Sequence, residues 1–242
     1  MQQLMTKLRM YGWRKTLWFG IYETMLLWNR QFLRSYSQNK EDLVIDKLLN
    51  HRPEGFYVDV GAFDPNRFSN TKRFYERGWR GINIEPDPQN YQKFVAARPE
   101  DTNLNLGVSD RAGTLTSYKM IPGTLSTLSK QEAESAIKEG FELEAKVKVK
   151  TATLGEVMRK YVGKRRVDFL SVDTEGLDLI VLKGNNWKKF RPLVVCVESN
   201  KGDELENSVD KLLRTQGYKQ VFNNGLNSIY MVKDLVKGQK AI

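Results

Sequence analysis

The feature that most constrains this chain is an alternation that begins at Ser37: short apolar runs, each closed by a polar or acidic residue, take turns with stretches of helical spacing. The runs are Phe56-Tyr57-Val58-Asp59-Val60, Gly81-Ile82-Asn83-Ile84-Glu85, Asn103-Leu104-Asn105-Leu106, Val167-Asp168-Phe169-Leu170-Ser171-Val172 and Leu193-Val194-Val195-Cys196-Val197, with weaker ones at 218–222 and 228–232. Helical spacing fills 41–49, 69–77, 87–97, 154–161, 178–182 and 204–216. Near-continuous apolar strands between helices predict an α/β fold, a mostly parallel seven-stranded sheet with helices on both faces. The last two runs, joined through Asn223-Asn224-Gly225, predict an antiparallel C-terminal edge hairpin. Ligands of such sheets sit beyond the carboxyl ends of the strands, where Asp59, Glu85, Asp173 and Glu198 stand.

Residues 111–152 fit the alternation least. They hold Pro122-Gly123, a hydroxyl cluster (Thr124, Ser126, Thr127, Ser129), a helix-like stretch at 131–139 and the alternating Lys146-Val147-Lys148-Val149-Lys150. The expectation is an insertion with one edge strand, its lysines in solvent guarding against strand pairing, and a mobile loop near the site. Residues 1–34 differ in composition from the rest: six basic residues and one acid, Glu23, supply +5 of a formal net charge of +10, and three of the five Trp residues lie there. Leu4, Tyr11, Trp18, Met25 and Phe32 recur every seven positions, with Leu8, Ile21, Tyr22 and Trp28 near the same face, as in an amphipathic helix that Gly12 and Gly20 divide. Such a helix rests on an anionic membrane surface, on its own domain, or on a second subunit of a homo-oligomer. The basic residues are spread through the segment and no small-residue cleavage site follows an apolar core, so it does not read as a signal peptide. Glu23 interrupts the only apolar run that approaches a membrane span.

A single cysteine, Cys196, excludes an intrachain disulfide and a Cys-rich zinc site, and a single histidine, His51, excludes His-based metal cages. This composition suits a reducing, cytoplasmic location, with peripheral contact at the inner membrane face through residues 1–34. In the first strand and turn, Asp59 and Gly61 are followed by a helix and, roughly two dozen residues later, by the strand-terminal Glu85, an arrangement suited to a nucleoside. Gly61 would let the backbone approach the ligand, and a carboxylate at Glu85 would accept hydrogen bonds from both ribose hydroxyls. Phe63 and Pro65 stand where a pyrophosphate needs bare backbone, so a ligand without one fits better.

Five segments in order carry a resemblance: Ser37-Gln38-Asn39-Lys40-Glu41-Asp42, residues 56–65, Arg80-Gly81-Ile82-Asn83-Ile84-Glu85-Pro86, Asn105-Leu106-Gly107-Val108-Ser109-Asp110, and Asp168-Phe169-Leu170-Ser171-Val172-Asp173-Thr174-Glu175-Gly176. Over residues 37–200 the chain resembles the FkbM family of S-adenosylmethionine-dependent methyltransferases. The resemblance implies a Rossmann-like class I methyltransferase fold and O-methylation of sugar hydroxyls in glycans, glycolipids or related metabolites, with S-adenosylhomocysteine as the by-product. By position, it assigns Asp59, Gly61, Ala62 and Phe63 to the first cofactor motif and Glu85 with Pro86 to the ribose. Asn105, Gly107, Val108 and Ser109 then flank the adenine, Gln38 closes over the cofactor, and Asp173 lies beside the methyl group. Ser37 and Asp42 either join Gln38 or only cap the helix that follows.

With no histidine near these motifs, Asp173 and then Glu198 are the candidates for the base that takes the acceptor's proton. Asn70, Thr71, Thr124, Ser126, Thr127 and Glu175, with Phe68, are expected to line the acceptor pocket. Asp173, Glu175 and Glu198 could instead hold a divalent cation on oxygen ligands, an alternative to the favoured metal-free reading. Trp187 either stacks on a sugar or covers the sheet. The expected partner is a sugar or glycan hydroxyl, free or lipid-linked. Nucleic acid is not expected, since residues 35–242 carry only the remaining +5 and no basic-aromatic module. A nucleic-acid methyltransferase is the second reading, and a catalytically silent membrane scaffold is the third.

Overall fold

The computed structural model describes Trp13, Leu17 and residues 20–199 and 203–236. Helix α1 covers 20–28 and runs into a π-helical turn, Asn29–Leu33. There follow α2 (Glu41–Leu48), β1 (Phe56–Val60), α3 (Lys72–Glu76), β2 (Arg80–Ile84), α4 (Pro88–Ala97), β3 (Thr102–Leu104) and β4 (Gly107–Val108). Then come β5 (Gly113–Ile121), α5 (Lys130–Lys138), β6 (Glu142–Ala152), α6 (Leu154–Val157, continued by a π-turn to Val162) and β7 (Phe169–Val172). The chain closes with α7 (Asp178–Lys183), β8 (Val194–Glu198), α8 (Asp203–Thr215), β9 (Tyr218–Asn223), β10 (Asn227–Val232) and α9 (Lys233–Val236).

The main sheet has seven strands in the order β3-β2-β1-β7-β8-β10-β9. The first five run parallel, and β10 is antiparallel to both β8 and β9. Period-two alternation along these fully buried strands divides the core into two layers. Val58, Val60, Ile82, Ile84, Leu170, Val172, Val195 and Val197 face one way and meet Leu154, Val157, Val181, Leu182, Val209 and Leu213 of α6, α7 and α8. Tyr57, Phe169, Val194, Cys196, Ile229 and Met231 face the other way and meet Ile45 and Leu48 of α2, Phe74 of α3, and Trp79. Helix starts follow the sequence: Asp87 caps α4 with Pro88 behind it, and Thr153 and Glu156 form a capping box on α6. Because all five parallel strands point the same way, Gly61, Glu85, Asp173 and Glu198 emerge on one edge, on either side of the point where the order turns from β1 to β7.

The insertion differs from expectation. Instead of one edge strand it forms a second sheet of three, β4-β6-β5, in which the long antiparallel pair β5 and β6 is joined through α5 and β4 pairs parallel with the end of β6. Lys146, Lys148 and Lys150 are exposed along β6, opposite Tyr118, Thr116 and Thr114. Thr and Tyr at alternate positions of β5 supply a partner strand that its polar composition hides from a hydrophobic-run reading. The expected break at Gly12 lies outside the described residues, as do Leu4, Leu8, Tyr11 and Trp18. Among the described residues no helix is long and apolar enough to cross a membrane.

Candidate active site

The carboxyl ends of β1, β2, β7 and β8 open into a cavity of about 1290 Å³. That exceeds the roughly 300–1,000 Å³ of an ordinary ligand pocket and leaves room for a cofactor and an acceptor together. The small sheet forms one wall, with Ser117, Ile121 and the segment 122–128 facing the strand ends. Two contacts hold it there: Thr127 Oγ1 donates to the Glu175 carbonyl (2.7 Å), and Lys119 pairs with Asp87 at the start of α4 (3.0 Å).

At the end of β1, Gly61 adopts φ +76°, and a Cβ built on it would lie 1.7 Å from the Asp173 carbonyl oxygen. The glycine is therefore required because the loops after β1 and β7 touch here, rather than only to admit a ligand. Phe63, Phe68 and Glu175 also occupy the left-handed region (φ 56°, 57° and 50°), and all three line the cavity. Backbone held in this region costs free energy and tends to concentrate at ligand sites.

Glu85 is buried at the end of β2. Its Oε2 accepts from the Phe63 amide and its Oε1 from the Asp87 amide, both at 2.8 Å. These two donors favour the carboxylate, yet loss of solvent outweighs them and pushes the carboxyl up to about 7. Each oxygen keeps a second lone-pair direction, so the oriented carboxylate can still accept from a vicinal diol. Asp59 lies deeper. Its Oδ2 accepts from Thr71 Oγ1 (2.6 Å), and burial raises its carboxyl above the ordinary range, opposed by Thr71 and by the Arg98 guanidinium.

Arg98 went unnoticed in the sequence and is the anchor of this region. Completely buried, it donates to Thr71 Oγ1 (2.8 Å), Ser69 Oγ (2.8 Å) and the Pro65 carbonyl (2.6 Å). It thereby ties the 61–71 loop to the end of α4. Nothing in its local context, Ala97-Arg98-Pro99, separates it from a surface arginine.

Beyond the β7 and β8 ends, carboxylate oxygens of Asp173, Glu175 and Glu198 all lie within 4.8 Å of one another. Gln38, Asn39, Asn70, Asn227, Thr124, Ser126 and Thr127 line the cavity as well. Asn70 Nδ2 donates to Ser171 Oγ (3.1 Å), and Asn227 Nδ2 donates to the buried Glu41 (2.9 Å), which also accepts from the Asn39 amide. Tyr22, Glu23 and Met25 of α1, with Arg67, complete the mouth.

Most of the expected residues meet here: Asp59, Gly61, Ala62, Phe63, Glu85, Pro86, Gly107, Val108, Asp173 and Gln38, together with Asn70, Thr124, Ser126, Thr127, Glu175 and Glu198. Three expected residues do not line the cavity. Thr71 is consumed by Asp59 and Arg98, Asn105 Nδ2 donates to the Glu85 and Pro86 carbonyls (2.9 and 3.0 Å), and Ser109 is buried with its hydroxyl against Asp110. Ser37 and Asp42 also lie behind the wall: Asp42 accepts from Ser35, Ser37 and the Tyr36 amide, and the N-cap of α2 is Lys40, with no side-chain capping bond, rather than Ser37. Trp187 is buried, donates to the Leu182 carbonyl (3.0 Å) and packs edge-on against Tyr218, so it covers the sheet. Asn227 and Tyr22 were missed, since each reaches the cavity from an element distant in sequence, and Arg67 was missed although it lies in the loop after β1.

The family profile described as the methyltransferase FkbM domain matches residues 59–219, from Asp59 at the end of β1 into β9. The chain belongs to the FkbM methyltransferase family. A protein of Sordaria araneosa named Methyltransferase sdnD is 33% identical to this methyltransferase over 204 residues, covering 71% of this chain and 76% of that one. Methyltransferase 1 of Beauveria bassiana is 26% identical over 204 residues, covering 74% and 79%. Among solved structures, methyltransferase FkbM of Methylobacillus flagellatus is 14% identical with a TM-score of 0.43. The alignment covers 74% of this chain, and the chain spans 44% of that protein's length.

Proposed function

We propose that this methyltransferase uses S-adenosylmethionine to methylate a hydroxyl of a sugar or glycan. The observation that carries the reading is the division of the cavity into two chemically different ends. One end offers a nucleoside cradle: the Glu85 carboxylate for the ribose, with Ala62, Phe63, Pro86, Gly107 and Val108 around it. Phe63 spends its amide on Glu85, which fits a ligand without a pyrophosphate. The other end offers hydrogen-bond acceptors: three carboxylates with side-chain amides and hydroxyls beside them, and Arg67 as the one basic residue among the described residues that line the cavity. Such a surface suits a neutral acceptor that presents several hydroxyl donors and repels a phosphodiester backbone, which supports sugar over nucleic acid.

Bound in the cradle, the cofactor supplies an electrophilic methyl group on a sulfonium. The chain's share is alignment and proton removal. Asp173, Glu175 and Glu198 can accept from sugar hydroxyls and fix which oxygen faces the cradle, and oriented reactants are worth about 7–11 kcal/mol. Asp173, at the end of β7 between Gly61 and Glu198, takes the proton of the reacting hydroxyl, with Glu198 as the alternative; such a base contributes roughly 10²–10⁴ in rate. The test is Asp173→Asn, assayed with a panel of sugar acceptors. The reading expects turnover to fall by about 10²–10⁴ while cofactor affinity stays within a few-fold; unchanged turnover would remove Asp173 from catalysis.

A further inference from the structure

Helix α1 has two chemically distinct faces. Its inner face is committed to the cavity mouth: the Tyr22 ring stacks on Phe68 (6.4 Å between centroids), Glu23 pairs with Arg67, and Asn29 is buried. Its outer face carries Ile21, Met25 and Trp28, within about a sixth of the helix circumference at 100° per residue, with Trp13 and Leu17 before it and Phe32 in the π-turn after it also exposed. Each of the six is 47–67% exposed. Single exposed apolar residues are ordinary, but six of them on one short segment, two of them Trp, mark a contact surface. Met25 belongs to both faces, since it is exposed and also lines the cavity. The stripe therefore meets the mouth of the site.

We propose that α1 docks the protein on an anionic lipid bilayer, with the stripe in the headgroup boundary and the cavity mouth beside the membrane. Charge selects this occupant. Residues 1–34 hold six Lys or Arg and one acid, half of the chain's net +10, and a basic, Trp-bearing amphipathic helix has the composition of an interfacial anchor. A second copy fits less well, because a two-fold interface through this stripe would bring the same excess positive charge against itself. The inference does not depend on the acceptor being a sugar. It implies that the acceptor reaches the cavity from the bilayer surface, past Met25 and Tyr22.

The test is co-sedimentation of the full chain with vesicles of phosphatidylcholine alone or mixed with phosphatidylglycerol, alongside an Ile21→Glu, Trp28→Glu double variant. Neither residue lines the cavity, so unchanged thermal unfolding and S-adenosylhomocysteine binding would show that the variant is intact. The expected result is binding to the anionic vesicles that weakens about tenfold or more in the variant and falls steeply with salt. Equal binding by both proteins, or no binding by the full chain, would overturn the proposal. A wild-type dimer that the double substitution dissociates, without vesicle binding, would assign the stripe to a second copy instead.

Discussion

With Glu85 as the proposed ribose carboxylate, cofactor binding and folding should respond to pH in opposite senses. In the folded chain without ligand, burial moves its carboxyl from an ordinary 4.5 to about 7. At about 1.4 kcal/mol per pH unit, the folded state holds this proton more tightly than the unfolded state by about 3 kcal/mol. A carboxyl raised on folding stabilises fully below its unfolded value, and that contribution is lost as pH rises from 4.5 through about 7. Ribose hydroxyls, in contrast, need the ionised carboxylate. S-adenosylhomocysteine should therefore bind with constant affinity above about pH 7 and weaken roughly tenfold per pH unit below it, approaching 100-fold at pH 5. Glu85→Gln, of nearly the same shape, removes this titration: its affinity should be low and flat, and its stability should decline less than that of wild type between pH 4.5 and 7, the remainder coming from other buried carboxyls such as Asp42, Asp59 and Asp101. Calorimetric titrations across this range, with thermal unfolding on both proteins, read both slopes. A flat wild-type binding profile, or a variant that keeps wild-type affinity at pH 8, would refute the assignment of Glu85 to the ribose.

Further outcomes follow from the contacts around the cradle. Gly61→Ala places a methyl group against the Asp173 carbonyl at a positive φ, so thermal unfolding should show a loss of about 1–3 kcal/mol or more, and an unchanged Tm would contradict the packing described. Thr71→Val leaves Asp59 and Arg98 short of a shared partner in a fully buried position, which should cost about 1–3 kcal/mol in denaturant unfolding without a direct loss of acceptor contacts. If the clustered carboxylates bind hydroxyls rather than a cation, turnover should be unchanged by a chelator; activity lost to chelation and restored by added magnesium or manganese would reassign Asp173, Glu175 and Glu198 as ligands.

The central strands of the main sheet were legible because β1, β2, β7, β8 and β10 bury both faces and so read as apolar runs, while β3 and β9, half-buried at the edges, read more weakly. Of the small sheet only β6 was legible, through its alternating lysines; β5 was not, because it buries one face at most and alternates Thr and Tyr with other residues. Within the cavity, the legible positions were those that directly follow a strand: Gly61, Glu85 and Asp173 are placed by topology alone. Thr71, Asn105 and Ser109 stand off the cavity because a short polar side chain beside a motif is as readily consumed by nearby backbone or a buried carboxylate as presented to a ligand. The reason given for Gly61 was incomplete for a related cause, since the Asp173 carbonyl that forbids a side chain there lies more than a hundred residues away in sequence. Arg98 and Asn227 depend on equally remote contacts, and no local pattern announces them.

The acceptor atom is the most direct test of sugar O-methylation. Methyl-labelled S-adenosylmethionine, incubated with this protein and a panel of sugars, glycans, amines, carboxylic acids and nucleic acids, should place label on a neutral sugar as a base-stable methyl ether, and should do so far more slowly with Asp173→Asn. Label that goes to an amine, a carboxylate ester or nucleic acid, with none on any sugar hydroxyl, would contradict it.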